Sequence, residues 1–444
     1  MKYHLHVFGC QMNEADIQRI GSGLEKIGLH ATSEARDADV IVLNTCVVRQ
    51  SAEDKAHSYI QTLKPIKQAH PDKVITVMGC LVGVRGNGAL KRTYPWVDVF
   101  MAPSETQPLV DYLRQRDAYR LLEQETRERF AIQDGDLILP AHERGQLVSA
   151  HVPIVYGCSH ACTFCIIPFR RGVERSRPVG EIAREVHSLA AQGVKEVTLL
   201  GQIVDRYGQD VPDGPDLADL LRVIHDIDGI ERIRFLTSHP NWMNGRLLDA
   251  VAELPKVCEH IEVPVQAGDD DVLKNMRRGY TADDYRRLID AIRRRIPGAS
   301  IATDIIVGFP GETETQFQKT YDLLAELQLD VAHLARYSPR PQTVAQRTLA
   351  DDVPEEEKMH RFRALEDLQE QVVGRINSRY LGQTVEVLVE ANHKGKWRGR
   401  TRTNKLVFFE DAVDWRGRLA NIHVTWTGPW SMQGTLVKAH LETT

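Results

Sequence analysis

The N-terminal part of the chain alternates short apolar runs with amphipathic helical stretches. Apolar runs cover residues 3–7, 39–43 and 74–78. Between the first two runs, apolar residues recur on one helix face, at Ile17, Ile20, Leu24 and Ile27. Strands that alternate with helices are typical of βαβ units and of a parallel sheet. The pattern therefore predicts an N-terminal α/β domain over residues 1–146.

A cysteine follows each of these three apolar runs: Cys10, Cys46 and Cys80. In open α/β sheets, ligands bind beyond the carboxyl ends of the strands. Cysteines placed alike on neighbouring strands are therefore expected to converge on one site. The alternative is that they are ordinary buried thiols, which are common in protein cores. Their equivalent placement favours a shared cluster over three separate thiols.

Repeated strand–helix units continue through residues 147–376. Strands are predicted at 152–155, 196–200, 232–235, 260–265, 300–307 and 331–334, and amphipathic helices at 180–192 and 281–295. Such repetition indicates a full or partial (β/α) barrel. Polar residues that follow several strands, such as Gln202, are expected to line the catalytic mouth.

The remaining segments differ in character from these two. Residues 377–444 contain short β runs separated by glycines, which is typical of a small antiparallel barrel. Residues 118–145 are rich in charge and poor in periodicity, and they predict a linker with a short helix. The fold class expected is α/β, with a parallel-sheet domain, a partial barrel and a C-terminal β-barrel.

Composition narrows the setting without naming a function. The chain has 444 residues, 42% hydrophobic and 26% charged, with a formal net charge of −5. No apolar run is long enough to span a bilayer, and the N-terminus lacks the pattern of a signal peptide. The seven cysteines are therefore expected in a reducing, cytoplasmic setting, where thiols more often bind metals than form disulfides.

The spacing of Cys158, Cys162 and Cys165 is the most informative chemical signal. Structural zinc sites normally have four protein ligands, and electron-transfer clusters normally have four thiolates. Three thiolates on a [4Fe–4S] cluster leave one iron open to a substrate or cofactor. A zinc site that recruits His160 is the alternative. The aromatic Phe164 before the last cysteine, which is suited to pack over a cluster and an adenine, favours the cluster.

The wider sequence resembles the radical S-adenosylmethionine (radical-SAM) methylthiotransferases, and it looks closest to their MiaB type. The resemblance rests on CxxxCxxC with Phe164 and the residues around it, 153–172, and on strings at 9–13, 44–49, 237–240, 303–313 and 337–341. The C-terminal segment resembles a TRAM domain, an RNA-binding β-barrel. The resemblance therefore covers nearly the whole chain.

The resemblance implies two [4Fe–4S] clusters, one on Cys158, Cys162 and Cys165 and one on Cys10, Cys46 and Cys80. The first would cleave S-adenosylmethionine to a 5′-deoxyadenosyl radical near Phe164 and Gln202, and the second would supply sulfur. MiaB-type enzymes put a methylthio group on carbon 2 of N6-isopentenyladenosine at position 37 of tRNA. The implied partners are the tRNA anticodon loop, a sulfur donor and a low-potential electron donor such as a flavodoxin or ferredoxin.

Three positions depart from the MiaB pattern and leave the substrate open. Ile203 and Asp205 stand where asparagines are usual, and Ala267 replaces a serine. These residues follow predicted strands, where they are expected to touch substrate. The alternatives are the same chemistry on threonylcarbamoyl-adenosine of tRNA or on a ribosomal-protein aspartate, and, more remotely, a zinc-containing RNA-binding module.

The C-terminal segment also carries a basic patch with an aromatic residue inside it. The residues expected to bind RNA are Lys394, Lys396, Trp397, Arg398, Arg400 and Arg402. Such a patch suits phosphate contact and base stacking, and a solvated β-hairpin is the alternative. Arginines 170, 171, 175 and 177 add positive charge beside the cluster loop, with surface ion pairs as their alternative. Cys258, His225 and His333 are interpreted as structural.

Overall fold

The computed structural model describes residues 1–130 and 137–437. Its N-terminal part is a five-stranded parallel sheet flanked by helices, in the strand order β2-β1-β3-β4-β5. The strands are β1 Lys2–Val7, β2 His30–Ala31, β3 Val40–Thr45, β4 Val74–Gly79 and β5 Val99–Met101. The helices are α1 Gln11–Ile27, α2 Gln50–Ala69, α3 Gly88–Thr93, α4 Gln107–Arg114 and α5 Asp117–Phe130.

Strands β3 and β4 are buried along their whole length, as their unbroken apolar runs predict. Side chains of a strand alternate between the two faces of a sheet. Accordingly, Ile41 and Leu43 pack into one core layer, and Val40 and Val42 pack into the other. Helices cover both faces, so the carboxyl edge of the sheet is left for the residues that follow each strand.

The predicted linker over residues 118–145 is only partly correct. Helix α5 packs on α1 as part of the N-terminal layer, where Tyr119 is buried and Leu122 lies against the same core. Leu137 and Leu139 are buried in the core of the central barrel. Residues 131–136 of the predicted linker lie outside the described residues.

The central part is a partial barrel of six parallel strands. Sheets β6-β9-β10 and β11-β12-β13 meet where Ser238 N–H donates to the Glu262 carbonyl at 3.0 Å. The strands are β6 Ser149–Pro153, β7 Val155–Tyr156, β8 Arg175–Ser176, β9 Glu196–Leu200, β10 Arg232–Leu236, β11 His260–Glu262, β12 Ser300–Val307 and β13 Val331–Arg336. The short strands β7 and β8 form a separate antiparallel pair.

Helices cover the outside of this barrel, and β6 and β13 are its open edges. The helices are α6 Ile167–Arg171, α7 Val179–Ala191, α8 Leu217–His225, α9 Gly245–Glu253, α10 Asp270–Asn275, α11 Ala282–Arg295, α12 Glu314–Leu327, α13 Val344–Thr348 and α14 Glu355–Ser378. Helix α11 begins with a capping box formed by Thr281 and Asp284. Within the described chain, no helix has the length and apolarity needed to cross a membrane.

The C-terminal part is a closed five-stranded barrel, as the spaced β runs predict. Its strands are β14 Thr384–His393, β15 Lys396–Arg400, β16 Leu406–Phe409, β17 Leu419–Thr427 and β18 Met432–Leu436. The barrel rests on the amino ends of the central strands. There, Arg234 of β10 donates to the backbone carbonyls of Thr401 and Arg402, both at 2.8 Å.

Candidate active site

Cys10, Cys46 and Cys80 each follow a strand of the N-terminal sheet. Cys10 caps the start of α1 after β1, Cys46 follows β3, and Cys80 follows β4. The three strands are adjacent and parallel. The carboxyl edge of the sheet therefore brings together three cysteines that lie far apart in sequence.

Glycines permit this close approach of the cysteines. Gly9 has a φ of +128°, and a Cβ there would lie 2.5 Å from the Cβ of Cys46. Gly79 has a φ of +95°, and a Cβ there would lie 2.3 Å from Oδ1 of Asn44. Only glycine adopts such positive φ values without strain. Both glycines directly precede a cysteine, so they let the chain turn at the end of the strand and bring the cysteine into the site.

Cys158, Cys162 and Cys165 lie in one loop between β7 and α6. Two backbone hydrogen bonds hold this loop. The Cys158 N–H donates to the Gly172 carbonyl at 3.0 Å, and the Cys165 N–H donates to the Cys162 carbonyl at 3.2 Å. Thr163 fastens the loop to the barrel, since its hydroxyl donates to the Asn275 carbonyl at 2.8 Å. The loop is therefore fixed before any ligand enters.

The two cysteine sets face one cavity of about 380 Å³. Five of the six predicted ligands line it, namely Cys10, Cys80, Cys158, Cys162 and Cys165. Cys46 is buried directly behind Gly9. Phe164 and Gln202, predicted near S-adenosylmethionine, line the same cavity. The structure thus brings together residues predicted to serve two different steps of one reaction.

Burial keeps several of these thiols neutral until a metal displaces the proton. It raises the pKa of Cys158 and of Cys46 to about 11, and that of Cys165 to about 12. The thiolate is the form that binds metals. Metal binding at both sets therefore releases protons.

The donor set fits a cluster better than a single ion. Among the described residues, no group of three His, Cys, Asp or Glu side chains lies close enough to hold one metal ion. A zinc ion draws thiolate sulfurs to about 2.3 Å from itself, whereas a four-iron cluster is a larger body whose ligands stand farther apart. The cysteines border an open cavity of about 380 Å³ rather than one point, which suits the larger body.

Protein-family models match three stretches of the chain. Residues 2–102 match the uncharacterized protein family UPF0004, residues 152–324 match the radical SAM superfamily, and residues 378–437 match the TRAM domain. A tRNA-2-methylthio-N(6)-dimethylallyladenosine synthase of Roseiflexus sp. (strain RS-1) is 48% identical over 99% of this chain and 90% of that relative. A synthase of the same name from Herpetosiphon aurantiacus is 47% identical over 98% of this chain and 97% of that relative.

The chain belongs to the radical-SAM methylthiotransferase family. Members of this family use S-adenosylmethionine and [4Fe–4S] clusters. Among solved structures, the radical S-adenosylmethionine methyltransferase TsrM from Kitasatospora setae, with cobalamin and a [4Fe-4S] cluster bound, has a TM-score of 0.54 and 14% identity. The match covers 90% of this chain and 81% of that one, and it supports the fold alone.

Two of the three departures from the MiaB pattern do not reach the cavity of this methylthiotransferase. Ile203 lines it, whereas Ala267 is fully buried elsewhere. Asp205 is buried beneath the site. Both of its carboxylate oxygens accept a hydrogen bond from the backbone N–H of His239, each at 3.1 Å. Burial raises the pKa of Asp205 to about 8. Of the three residues, only Ile203 lines the cavity, so substrate contact stays a prediction for Ile203 alone.

Asp304 and Arg278 also line the cavity. The string 303–313 contains Asp304 but assigns it no role, and no sequence pattern singles out Arg278. Burial and the neighbouring Glu262 carboxylate raise the pKa of Asp304 to about 6. His333, interpreted as structural, borders an adjoining groove beside Asp304. Asp304 lies within β12 rather than at its end, so the strand-end rule gave no signal for it.

The predicted RNA-binding residues of the methylthiotransferase are divided by the structure. Trp397 is only 6% exposed and donates from Nε1 to the Asp411 carbonyl at 3.1 Å, so it is a core residue. This burial is at odds with the predicted stacking role. Arg402 pairs with Glu259 at 2.7 Å and joins the two barrels. Lys396 and Arg400 form ion pairs with Glu410 and Glu390 within the C-terminal barrel, whereas Lys394 and Arg398 are exposed.

The four arginines beside the cluster loop differ in burial: Arg175 is exposed and Arg170 is half-buried, whereas the other two are buried. Arg171 and Arg177 are buried and pair with Asp16 and Glu185, at 3.4 Å and 2.7 Å. The alternative of surface ion pairs is therefore wrong for these two, because the N-terminal layer and α7 cover them. Cys258 is a free, fully buried cysteine at the base of the barrel, where burial raises its pKa.

Proposed function

We propose that the chain adds a methylthio group to carbon 2 of N6-isopentenyladenosine, at position 37 of tRNA. The observation that carries the proposal is the convergence of the two cysteine sets on one cavity, which five of their six members line. The relatives support the substrate, since proteins 43–48% identical over almost the whole chain are named tRNA-2-methylthio-N(6)-dimethylallyladenosine synthases. Dimethylallyl and isopentenyl denote the same substituent here.

Each cysteine set is assigned one [4Fe–4S] cluster. Cys158, Cys162 and Cys165 hold the cluster that binds S-adenosylmethionine, and Cys10, Cys46 and Cys80 hold the sulfur-supplying one. A set of three thiolates leaves one iron position open in each cluster. Because both cysteine sets border one cavity, the two clusters would act on the same substrate, one in hydrogen removal and the other in sulfur supply.

The chemistry supplied by the bound groups is reductive cleavage of S-adenosylmethionine to a 5′-deoxyadenosyl radical, together with a transferable sulfur. The residues of the chain confine that chemistry. Met12 and Ile203 are buried and give the cavity apolar walls that exclude water from a reactive radical. Phe164 and Gln202 are the residues we assign to S-adenosylmethionine, with Phe164 packing against the adenine.

We assign RNA contact to the exposed face of the C-terminal barrel rather than to Trp397. Lys394 and Arg398 are exposed and supply positive charge on this barrel. Trp430 is 62% exposed and borders a groove with Arg49 and His333 that adjoins the cysteine cavity. An exposed tryptophan offers a surface on which an unstacked base can rest. The target base must leave the anticodon loop to reach the cysteines.

The organisation and partners follow from this assignment. The proposed domains are residues 1–146 for sulfur supply, 147–376 for radical generation and 377–444 for RNA binding. The reaction also needs a sulfur donor and a low-potential electron donor, such as a flavodoxin or ferredoxin. A cytoplasmic location would give access to all of these partners.

Nucleoside mass spectrometry of tRNA from a deletion strain tests the substrate. We expect the 2-methylthio derivative of isopentenyladenosine to disappear while isopentenyladenosine accumulates. A plasmid that carries the Cys258→Ala variant should restore the product, since Cys258 lies outside both sets. An unchanged 2-methylthio level in a strain without a second copy of the gene would refute the assignment. If the methylthio group were lost only from threonylcarbamoyl-adenosine, the result would instead support threonylcarbamoyl-adenosine as the substrate.

Trp430→Ala tests the RNA-binding face. Stacking of one base on an aromatic ring contributes about 1–3 kcal/mol, so we expect tRNA affinity to fall about 5- to 150-fold. Trp426→Ala is the matched control, because Trp426 is 49% exposed on the same barrel but does not border the groove. Equal loss in both variants, measured by filter binding at fixed salt, would remove Trp430 from the proposed site.

A further inference from the structure

Arg278 is a buried cation beside the radical-SAM cysteine loop. It is 5% exposed, and its Nη1 donates to the Cys162 sulfur at 3.2 Å. Its other donors are also engaged: Nε donates to the Tyr280 hydroxyl at 2.9 Å, and Nη2 donates to the Pro264 carbonyl at 3.0 Å. The guanidinium plane is therefore fixed, with one edge turned toward a cluster ligand.

Arg278 differs from the other buried arginines in its charge partner. Among the described residues, each of the others lies within 4.0 Å of a carboxylate; these pairs are Arg171–Asp16, Arg177–Glu185, Arg232–Glu386, Arg234–Glu196, Arg340–Glu53 and Arg361–Glu312. No carboxylate of the residues that the structure describes lies within 4.0 Å of the Arg278 guanidinium. Of its hydrogen-bond partners within the described chain, Tyr280 stays neutral because burial raises its pKa to about 12, and Cys162 is the one that becomes anionic when it binds a metal.

A buried charge without a partner is strongly unfavourable. The carbonyl of Pro264 and the hydroxyl of Tyr280 satisfy hydrogen bonds of Arg278 but carry no compensating charge. A cluster bound by three thiolates is anionic, and hydrogen bonds to its sulfurs together with nearby charge set its reduction potential. Asp205 and Asp304 interact with Arg278 only from beyond 4.0 Å, so the countercharge in direct contact with Arg278 would be the cluster.

We propose that Arg278 is the fixed countercharge of the cluster on Cys158, Cys162 and Cys165, and that it raises the reduction potential of that cluster. It acts as a positioning residue, through the sulfur of Cys162. The inference rests on the proposed assignment of this cysteine set. A fixed positive charge stabilises the reduced state, which carries one more negative charge, so it eases the electron entry that must precede cleavage of S-adenosylmethionine.

Arg171 provides an internal comparison at the other cysteine set. It hydrogen-bonds to Cys80 and also donates from Nη2 to Asn13 Oδ1 at 2.6 Å. Unlike Arg278, it shares its charge with the fully buried Asp16. The net positive charge next to the N-terminal cluster is therefore smaller. Arg278 should influence its cluster more strongly than Arg171 influences the other.

The test uses the full chain with Cys10, Cys46 and Cys80 changed to alanine, so that one cluster signal remains. In this background we compare the parent, Arg278→Gln, Arg278→Lys and Arg277→Gln. Arg277 is the exposed neighbour of Arg278 and carries the same charge, so Arg277→Gln is the matched control. The measurements are iron per chain and the midpoint potential, followed by electron paramagnetic resonance without S-adenosylmethionine.

We expect Arg278→Gln to lower the equilibrium constant for one-electron reduction at least about tenfold, which corresponds to a shift of about 59 mV to more negative potential. Arg278→Lys, which retains the charge, should shift less, and Arg277→Gln should not shift. An unchanged potential in an iron-loaded Arg278→Gln protein would overturn the inference, as would an effect seen only on S-adenosylmethionine affinity. Absence of iron in the parent would contradict the cysteine assignment instead.

Thermal unfolding with and without the cluster gives a second readout. Without the cluster, wild-type Arg278 is a buried charge with no carboxylate within 4.0 Å among the described residues. Arg278→Gln removes that charge and also the hydrogen bonds to Tyr280 and Pro264, so both effects change the Tm of the cluster-free protein. The gain in Tm on cluster loading, compared at equal iron content, isolates the charge, and it should be smaller in Arg278→Gln than in the parent and in Arg277→Gln. An equal gain in Arg278→Gln and the parent would show a merely structural role and overturn the inference.

Discussion

The two cysteine sets reach the same cavity by different routes. The central set lies within residues 158–165, in a loop that is fixed by its own backbone hydrogen bonds and by Thr163. The N-terminal set is spread over residues 10–80 and comes together only because β1, β3 and β4 are adjacent in a parallel sheet. One site is therefore a local structure, and the other is a property of a whole domain.

This difference teaches where each function is vulnerable. A loop site loses its geometry through changes in the loop itself or in the residues that contact it. A strand-end site loses its geometry through any change that moves one strand end relative to another. The two sites should consequently fail separately, although they face one cavity.

The largest expected effect is a separation of the two reaction steps. Cys162→Ala should abolish both 5′-deoxyadenosine and methylthio product, because the radical cannot form. Cys80→Ala should abolish the product but leave 5′-deoxyadenosine formation in place, since the central loop is intact. Both compounds are quantified by mass spectrometry after reconstitution with an external reductant.

Cys258→Ala is the control, because Cys258 is a buried thiol outside both sets. It should retain both compounds within about twofold of the parent. Loss of 5′-deoxyadenosine in Cys80→Ala to the level of Cys162→Ala would mean that the two sites do not act separately.

A smaller effect is expected from Gly9→Ala. Its Cβ would lie 2.5 Å from Cys46 Cβ on a backbone with a φ of +128°, so the strand end must move. Iron should fall from about eight to about four per chain, because only the N-terminal cluster is lost. Iron and sulfide analysis after anaerobic reconstitution measures this.

Gly23→Ala is the matched control for that change. Gly23 lies in α1, and its new Cβ would meet only Val110 Cγ2, at 3.6 Å, which is ordinary contact. Helix interiors favour alanine over glycine, so this variant should keep both clusters. If Gly9→Ala still bound about eight irons per chain, the N-terminal site would not depend on the geometry of the strand ends.

The smallest effect is a graded response to pH. Burial raises the pKa of Cys46, Cys158 and Cys165 in the metal-free protein, so cluster loss requires these thiols to take up protons. Iron removal by a chelator should therefore become faster as the pH falls, by a few-fold over one to two pH units. The N-terminal cluster should be lost first, because Cys10 is exposed. A rate independent of pH would contradict this account.

Much of the site was predictable from sequence because its signals are regular. The central triplet has a diagnostic spacing, and the N-terminal set follows buried strands whose apolar runs are unbroken. Arg278 was not predictable, since it lies 116 positions from Cys162 and only the folded barrel brings them together. Its missing carboxylate is likewise a three-dimensional property that no local pattern encodes.

The basic C-terminal segment shows how a composition argument can mislead. Strand β15 alternates, with Trp397 buried and Arg398 exposed. The period of two in a strand places neighbours on opposite faces, so the aromatic residue and its basic neighbours could not all face RNA. Had the segment been predicted as a strand, Trp397 would have been placed in the core.

The most direct test of the central claim is methylthiolation of synthetic anticodon stem-loops by the reconstituted protein. Three stem-loops would carry adenosine, isopentenyladenosine or threonylcarbamoyl-adenosine at position 37, and the products would be identified by mass spectrometry. The account predicts a methylthio group on carbon 2 of isopentenyladenosine alone. Product on threonylcarbamoyl-adenosine, or no product from a protein that holds both clusters, would contradict it.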